Sequence, residues 1–288
     1  MSTNRYFSFS RLGLVMKRDL MENWKTNLYR FLGPYAGFLI AMLGCYMVDS
    51  DYESFAAVVL SAFTLVLFFG SAYNASIIME NMSTPQQRVS YLMLPATSLE
   101  KFVSRALYVT FGFFLMLIIA LLLAEATRFL FLPLFHLPEE YHRSILPFVT
   151  EKLTTVEVMK FVGKGAEESV HIGYLGMIIN WLAILLGHSF FILGGCYWQK
   201  HPFWKTVGVI ILVTNLLTLF SILLLQSLGD IDWCIVEAWL DANLKWIHVE
   251  GIMTFVIVWM ALHLVFNWWL SYRFFTRSQV IKPKFRLL

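Results

Sequence analysis

The sequence predicts an all-α fold, a polytopic helical membrane protein with six transmembrane helices. Three observations predict it. Of the 288 residues, 58% are hydrophobic and only 14% charged, against about 45–50% and about 25% in a soluble domain. Apolar residues come in unbroken runs of about twenty, the length a helix needs to cross about 30 Å of hydrocarbon at 1.5 Å per residue. A membrane barrel would instead alternate polarity over segments of about ten residues. Finally, basic residues gather on one side of these runs.

Residues 1–30 form a cytoplasmic amphipathic segment. Leu12, Val15, Met16, Leu20 and Trp24 fall near helical spacing, with Lys17, Arg18 and Lys25 between them. This suits either an interfacial elbow helix or an ordinary juxtamembrane anchor. The transmembrane domain occupies 31–275, with spans expected at about 31–48, 55–79, 106–124, 172–198, 207–228 and 251–275. A basic cytoplasmic tail, 276–288, follows.

The charges orient the spans. Lys and Arg concentrate in cytoplasmic loops. The N-terminal segment holds Arg5, Arg11, Lys17, Arg18, Lys25 and Arg30. The second connection holds Arg88, Lys101 and Arg105, the fourth Lys200 and Lys205. The tail holds Arg273, Arg277, Lys282, Lys284 and Arg286. These are sixteen of the 22 basic residues, accompanied only by Asp19, Glu22, Glu80 and Glu100 among 19 acids. Both termini are therefore expected in the cytoplasm. No secretory signal is read, because the first apolar run begins thirty residues in, after a charged segment, and no small-residue cleavage site follows it.

Three cysteines, Cys45, Cys196 and Cys234, make no paired framework. A Cys45–Cys234 bridge across the outer face is left open, since spacing alone does not decide it. In the outer loops 125–171 and 229–250, short helices are expected at Thr155–Phe161 and along the Trp-rich 229–250 segment.

The polar island 82–105 interrupts the apolar pattern. Thr84-Pro85 is a helix start, a hydroxyl cap followed by proline at the first helical position. The helix carries Arg88, Val89, Tyr91 and Leu92. Pro95 ends it by forcing Leu94 out of the helical region. Thr97-x-x-Glu100 then reads as a capping box that starts a new helix into the third span.

On these residues the chain resembles the membrane subunits of type-2 ATP-binding-cassette exporters, the ABC-2-type permeases. The likeness rests on six spans, cytoplasmic termini, an amphipathic elbow helix, and the stretch Tyr91-Leu92-Met93-Leu94-Pro95-Ala96-Thr97-Ser98-Leu99-Glu100-Lys101-Phe102. It implies that Thr84 to Pro95 form a coupling helix, and that Thr84, Pro85, Arg88, Val89, Tyr91, Leu92, Pro95 and Glu100 serve coupling to and docking on a separate ABC ATPase subunit. ATP and Mg would sit on that partner, with no cofactor on this chain. It also implies pairing with a second copy or a similar permease, ATP-driven export, and a bacterial cytoplasmic (inner) membrane. Arg88-Val89-Ser90 replaces a Gly-Thr pair frequent in that family, and the Glu125–His171 loop is longer than in its simplest members. The substrate is therefore left open.

The residues exclude other classes. No G-x-x-x-x-G-K-[ST] phosphate loop occurs; Val162-Gly163-Lys164-Gly165 lacks its first glycine and its hydroxyl. His188 and His263 lie within spans, where ionisable groups are usually functional or face the bundle interior. Neither has a second ligand at helical spacing, so no metal site is expected. His188 near Asn180 and His263 near Asn267 suit hydrogen bonds between helices. Asn74, Asn180 and Asn215 suit a polar path or helix packing. Gly33-x-x-x-Gly37, Ala57-x-x-x-Ser61 and Ser71-x-x-x-Ala75 suit close helix contacts, within one subunit or between two. The chain is read as no enzyme and no nucleic-acid binder. Two rivals stand beside the permease: a membrane scaffold or sensor whose 82–105 segment binds a cytoplasmic regulator, and a membrane-embedded enzyme using His188 or His263.

Overall fold

The computed structural model describes residues 7–47, 51–134, 139–154, 157–162, 166–171, 173–198, 200–227 and 249–277. Among the described residues the long apolar runs are helical. Helix α1 (Phe9–Glu22) lies before α2 (Trp24–Gly44). Helix α3 (Tyr52–Leu65) continues through a π-helical turn, Val66–Gly70, into α4 (Ser71–Ser76). The island supplies α5 (Pro85–Leu92) and α6 (Ser98–Leu107). A second π-helical turn, Tyr108–Gly112, joins α6 to α7 (Phe113–Phe131). Then come α8 (Leu146–Thr154), α9 (Gly173–Tyr197), α10 (Pro202–Ser227) and α11 (Val249–Thr276).

Five helical stretches are long and apolar enough to cross a membrane: Tyr52–Met82, Ser98–Leu134, Tyr174–Tyr197, Pro202–Leu224 and Met253–Thr276. The protein is thus a multi-pass membrane protein. The expected first span, 31–48, is not among these stretches. Helix α2 gives way at Gly44 to a 3-10 turn, Cys45–Met47, so its apolar part from Phe31 covers only about 20 Å. Lys25 and Arg30 occupy its first turns, and Pro34 removes one of its backbone donors.

Other boundaries move for definable reasons. The third span does not end near Ala124 but runs on to Leu134. Its charged residues, Glu125 and Arg128, are buried against the following segment instead of ending the helix. The helix expected at 155–161 is replaced by α8 and by a strand, β1 (Glu157–Val162), paired antiparallel with β2 (Ala166–His171), Glu157 opposite His171. Glu157-Val158-Met159-Lys160-Phe161-Val162 mixes β-branched and aromatic residues with polar ones, a composition that favours a strand. This hairpin is the one addition to the helical class among the described residues. The expected helix at 229–250 falls mostly outside the described residues, as do Cys234 and nearly all of the basic tail. Among the described residues, neither Cys45 nor Cys196 is in a disulfide.

Two cores organise the bundle. At the end carrying the acidic loops, Phe38, Met42, Phe55, Val59, Leu117 and Tyr141 are packed together by α2, α3, α7 and α8. At the basic end, Ile78, Tyr91, Phe102, Ile192 and Phe275 draw α4, α5, α6, α9 and α11 together. Within lipid these contacts gain little from leaving water, so close packing and hydrogen bonds must hold them. Gly194 and Gly195 permit the closest approach. A Cβ on Gly195 would overlap the backbone carbonyl of Ser76, and one on Gly194 the side chain of Thr206. Ser71 and Ala75 are buried inside the same bundle, whereas Ala57 and Ser61 are exposed and a Cβ on Gly33 or Gly37 would meet open space.

Candidate functional site

Both helix starts of the island form. Thr84 Oγ1 accepts from the Gln87 backbone N–H at 3.3 Å and Gln87 Oε1 accepts from Thr84 N at 3.3 Å. Thr97 Oγ1 accepts from Glu100 N at 3.2 Å, while Glu100 Oε2 accepts from Thr97 N at 2.7 Å. Two capping boxes therefore bracket the break at Pro95, satisfying donors that helix ends leave orphaned. Thr97→Ala should cost about 1 kcal/mol of stability, read as a lower chemical-unfolding midpoint in mild detergent, and Thr97→Ser should retain most of it.

Several charged and aromatic side chains of the island turn inward. Arg88 is buried and donates to the Met82 carbonyl, from Nη2 at 3.2 Å. Tyr91 is buried, and its hydroxyl donates to the Lys101 carbonyl at 3.1 Å. Lys101 Nζ donates to the Leu92 carbonyl at 2.7 Å. The aromatic and charged residues of the segment thus tie α5 to α6. Val89, Met93 and Pro95 are left exposed, with Leu92 half-buried.

Sequence reasoning missed what Glu100 and Arg105 hold. Glu100 is fully buried and accepts from the backbone N–H of Ser8 at 2.6 Å and from Arg11 Nη2 at 2.8 Å. Arg105 lies 3.8 Å from Asp19 and donates to the carbonyls of Ile78 at 2.9 Å and Ile77 at 3.2 Å. Asn81 Nδ2 donates to Asp19 Oδ1 at 2.9 Å. Helix α1 is thereby docked on α6. The signal was an acid on an apolar face: Leu12, Val15 and Asp19 are the buried residues of α1, spaced three and four apart. Burial pushes the Asp19 carboxyl up from the ordinary range, and the Arg105 guanidinium holds it back.

A second polar region lies deep in the spans. His188 is buried on α9, and its Nε2 lies 3.0 Å from Thr110 Oγ1 in the second π turn. One residue earlier, the Val109 carbonyl accepts from Asn74 Nδ2 at 2.5 Å. Next to His188, Ser189 Oγ accepts from Asn267 Nδ2 on α11 at 2.9 Å. Asn74, Thr110, His188, Ser189 and Asn267 thus form one seam through α4, the α6–α7 span, α9 and α11. The first π turn adjoins it: Gly70 leaves room for the Phe113 ring, whose Cζ would stand 3.0 Å from a Cβ there. Single π-helical turns are rare and occur frequently at functional sites.

The partners of the span histidines and asparagines are as follows. His188 meets Thr110 on a neighbouring helix, and Asn180 is half-buried. Asn267 meets Ser189, not His263, and the His263 ring instead faces its own Trp259 carbonyl at 3.0 Å. Asn215 is exposed on α10. Among the described residues no three His, Cys, Asp or Glu side chains gather as a metal site would require. At the basic end a cavity of about 180 Å³ opens between α4 and α9, lined among others by Ser76, Met79, Glu80, Arg88, Cys196 and Trp198.

A protein-family model described as fusaric acid resistance protein-like matches residues 11–119, from α1 into α7. This overturns the resemblance to ABC-2-type permeases and the ATP-driven export it implied. The stretch that carried that resemblance, Tyr91–Phe102, lies wholly inside a segment similar to a different membrane protein family. No curated protein and no solved structure matches the chain. The chain is therefore similar, from α1 through its first long span and into its second, to fusaric acid resistance protein-like membrane proteins.

Proposed function

We propose that the chain is a membrane transport protein of a non-ABC type that confers resistance by moving a toxic small molecule out of the cell. The observation that carries this reading is the buried seam of His188, Thr110, Asn74, Ser189 and Asn267, set beside two π-helical turns. Hydrogen-bonding groups at membrane depth are costly unless paired, so a chain that keeps five of them on four helices has a use for them. Irregular helix turns let neighbouring spans shift while other groups satisfy the freed backbone. The cavity at the basic end supplies a mouth of a size suited to a small solute. The family-model match supports the resistance role.

In this reading α2 is a short sixth span and α1 lies along the cytoplasmic surface as an elbow helix. The sixteen basic residues of one side support cytoplasmic termini, and the membrane assigned in this reading is a bacterial inner membrane. The block of α1, α5 and α6 is a rigid base rather than a docking surface, because Arg88, Tyr91 and Glu100 are spent on internal bonds. The chain acts as a transporter without a bound cofactor or a catalytic residue.

The test is tolerance to fusaric acid in a sensitive bacterial host. The chain expressed alone should raise the tolerated concentration. Thr110→Val, which removes the hydroxyl facing His188 at near-constant volume, should abolish that gain at unchanged membrane abundance, and Thr110→Ser should restore it. Equal tolerance of wild type and empty vector, or full activity of the valine variant, would refute the reading.

A further inference from the structure

Helix α10 is the least buried of the five long spans. Its packing is confined to its beginning, where Thr206 is buried and Val207 and Ile210 lean on the basic-end core. Every side chain from Ile211 to Leu224 is exposed. In a multi-pass membrane protein this length faces hydrocarbon. Leucine and phenylalanine need no partner there, but polar groups do.

The polar groups are not scattered. Thr214, Asn215, Thr218 and Ser221 share one side of the helix by their spacing. The three hydroxyls are satisfied within α10. Thr214 donates to the Ile210 carbonyl at 2.9 Å, Thr218 to Thr214 at 2.9 Å, and Ser221 to Leu217 at 2.8 Å. Their short side chains let another helix come close. Asn215 differs. Its Nδ2 donates to the Ile211 carbonyl at 2.7 Å, which uses one of two amide protons. The second proton and Oδ1 remain without a partner among the described residues. In lipid that amide costs free energy until something pairs with it.

We propose that this face of α10 is the contact between two copies of the chain, related by a two-fold axis beside Asn215. The primary amide is its own complement. Across a two-fold axis each Asn215 donates its remaining proton to the other's Oδ1, so one residue type closes the pair. Such an isologous contact needs only one patch per subunit. The sequence between Leu228 and His248 carries Asp230, Asp232, Glu237, Asp241 and Lys245, groups that are costly in hydrocarbon.

The experiment uses the full-length chain in native membrane vesicles, with Cys45, Cys196 and Cys234 replaced by alanine. A single cysteine is placed either on the proposed face, Thr218→Cys, or on the opposite one, Leu216→Cys. Oxidation with copper phenanthroline should cross-link the first to a product of twice the chain's mass and leave the second monomeric. Adding Asn215→Leu to the first should weaken dimerisation about tenfold, as loss of an interhelical amide pair requires. Three results would each overturn the proposal. They are equal cross-linking from both faces, no cross-linking from either, and a Thr218→Cys product whose mass identifies a different protein.

Discussion

Replacing Arg105 with methionine should destabilise the protein by about 3–5 kcal/mol, the cost of removing one partner from a buried ion pair. Arg105 is 1% exposed and Asp19 is fully buried. Their separation is 3.8 Å, and neither Arg105 Nη1 nor Asp19 Oδ2 makes a hydrogen bond. Arg105 therefore acts on Asp19 chiefly as a counter-charge, while its other nitrogens hold the carbonyls of Ile77 and Ile78 where α4 ends. Methionine keeps the apolar volume and removes both effects. The Asp19 carboxyl, already raised by burial, loses its principal opposing charge. The double variant Arg105→Met with Asp19→Asn should recover part of the loss, because the asparagine keeps an acceptor for Asn81 without the charge. Chemical unfolding in mild detergent reads both. A loss below about 1 kcal/mol for the single variant would mean that water reaches the pair and screens it.

Gly195→Leu should have the second large effect, a separation of α9 from α4. A Cβ at this position meets backbone, the Ser76 carbonyl, and then Ile78 Cγ2 at 3.0 Å. A flexible side chain could swing aside, but a helix backbone cannot without shifting the span. Overpacking usually costs about 1–3 kcal/mol, and this contact belongs at or above the upper end. The displaced helix also carries His188, so the seam should open in the same variant. Cys196 adjoins Gly195 and is buried, which supplies a readout. A membrane-permeant thiol reagent should label Cys196 in the leucine variant much faster than in the wild type. Unchanged labelling together with unchanged stability would show that α9 and α4 tolerate the extra volume.

What could be read from the sequence was local. The proline break at Pro95 and the Thr97 capping box depend on residues within a few positions of one another, and both stand where capping chemistry puts them, whereas the apolar runs fix the helical class but not the ends of the spans. The third span illustrates the limit. Glu125 and Arg128 look like the end of a membrane helix. Yet Glu125 accepts from the Ile145 backbone N–H at 2.8 Å, and Arg128 donates to the Tyr141 carbonyl at 2.9 Å. Only the fold brings those partners to them. The same holds for Arg88, which donates to the Met82 carbonyl, and for Glu100, whose partners Ser8 and Arg11 lie some ninety residues away. Thr110 attracted no notice because one threonine in an apolar run is common, and its meaning arises from His188 opposite it. The ABC-2-type resemblance misled for a related reason. A charge-defined topology and a leucine-proline stretch before a span are properties that unrelated helical membrane proteins share, and neither specifies how transport is driven.

Solute counterflow in proteoliposomes that contain this chain and no other protein tests the central claim most directly. Vesicles preloaded with unlabelled fusaric acid are diluted into a trace of the labelled compound, so that exchange needs neither ATP nor a second subunit. The account predicts a transient accumulation of label with the wild-type chain, its absence with Thr110→Val, and its return with Thr110→Ser. Uptake no greater than in protein-free liposomes, or uptake that the valine variant supports equally well, would contradict transport through the His188–Thr110 seam.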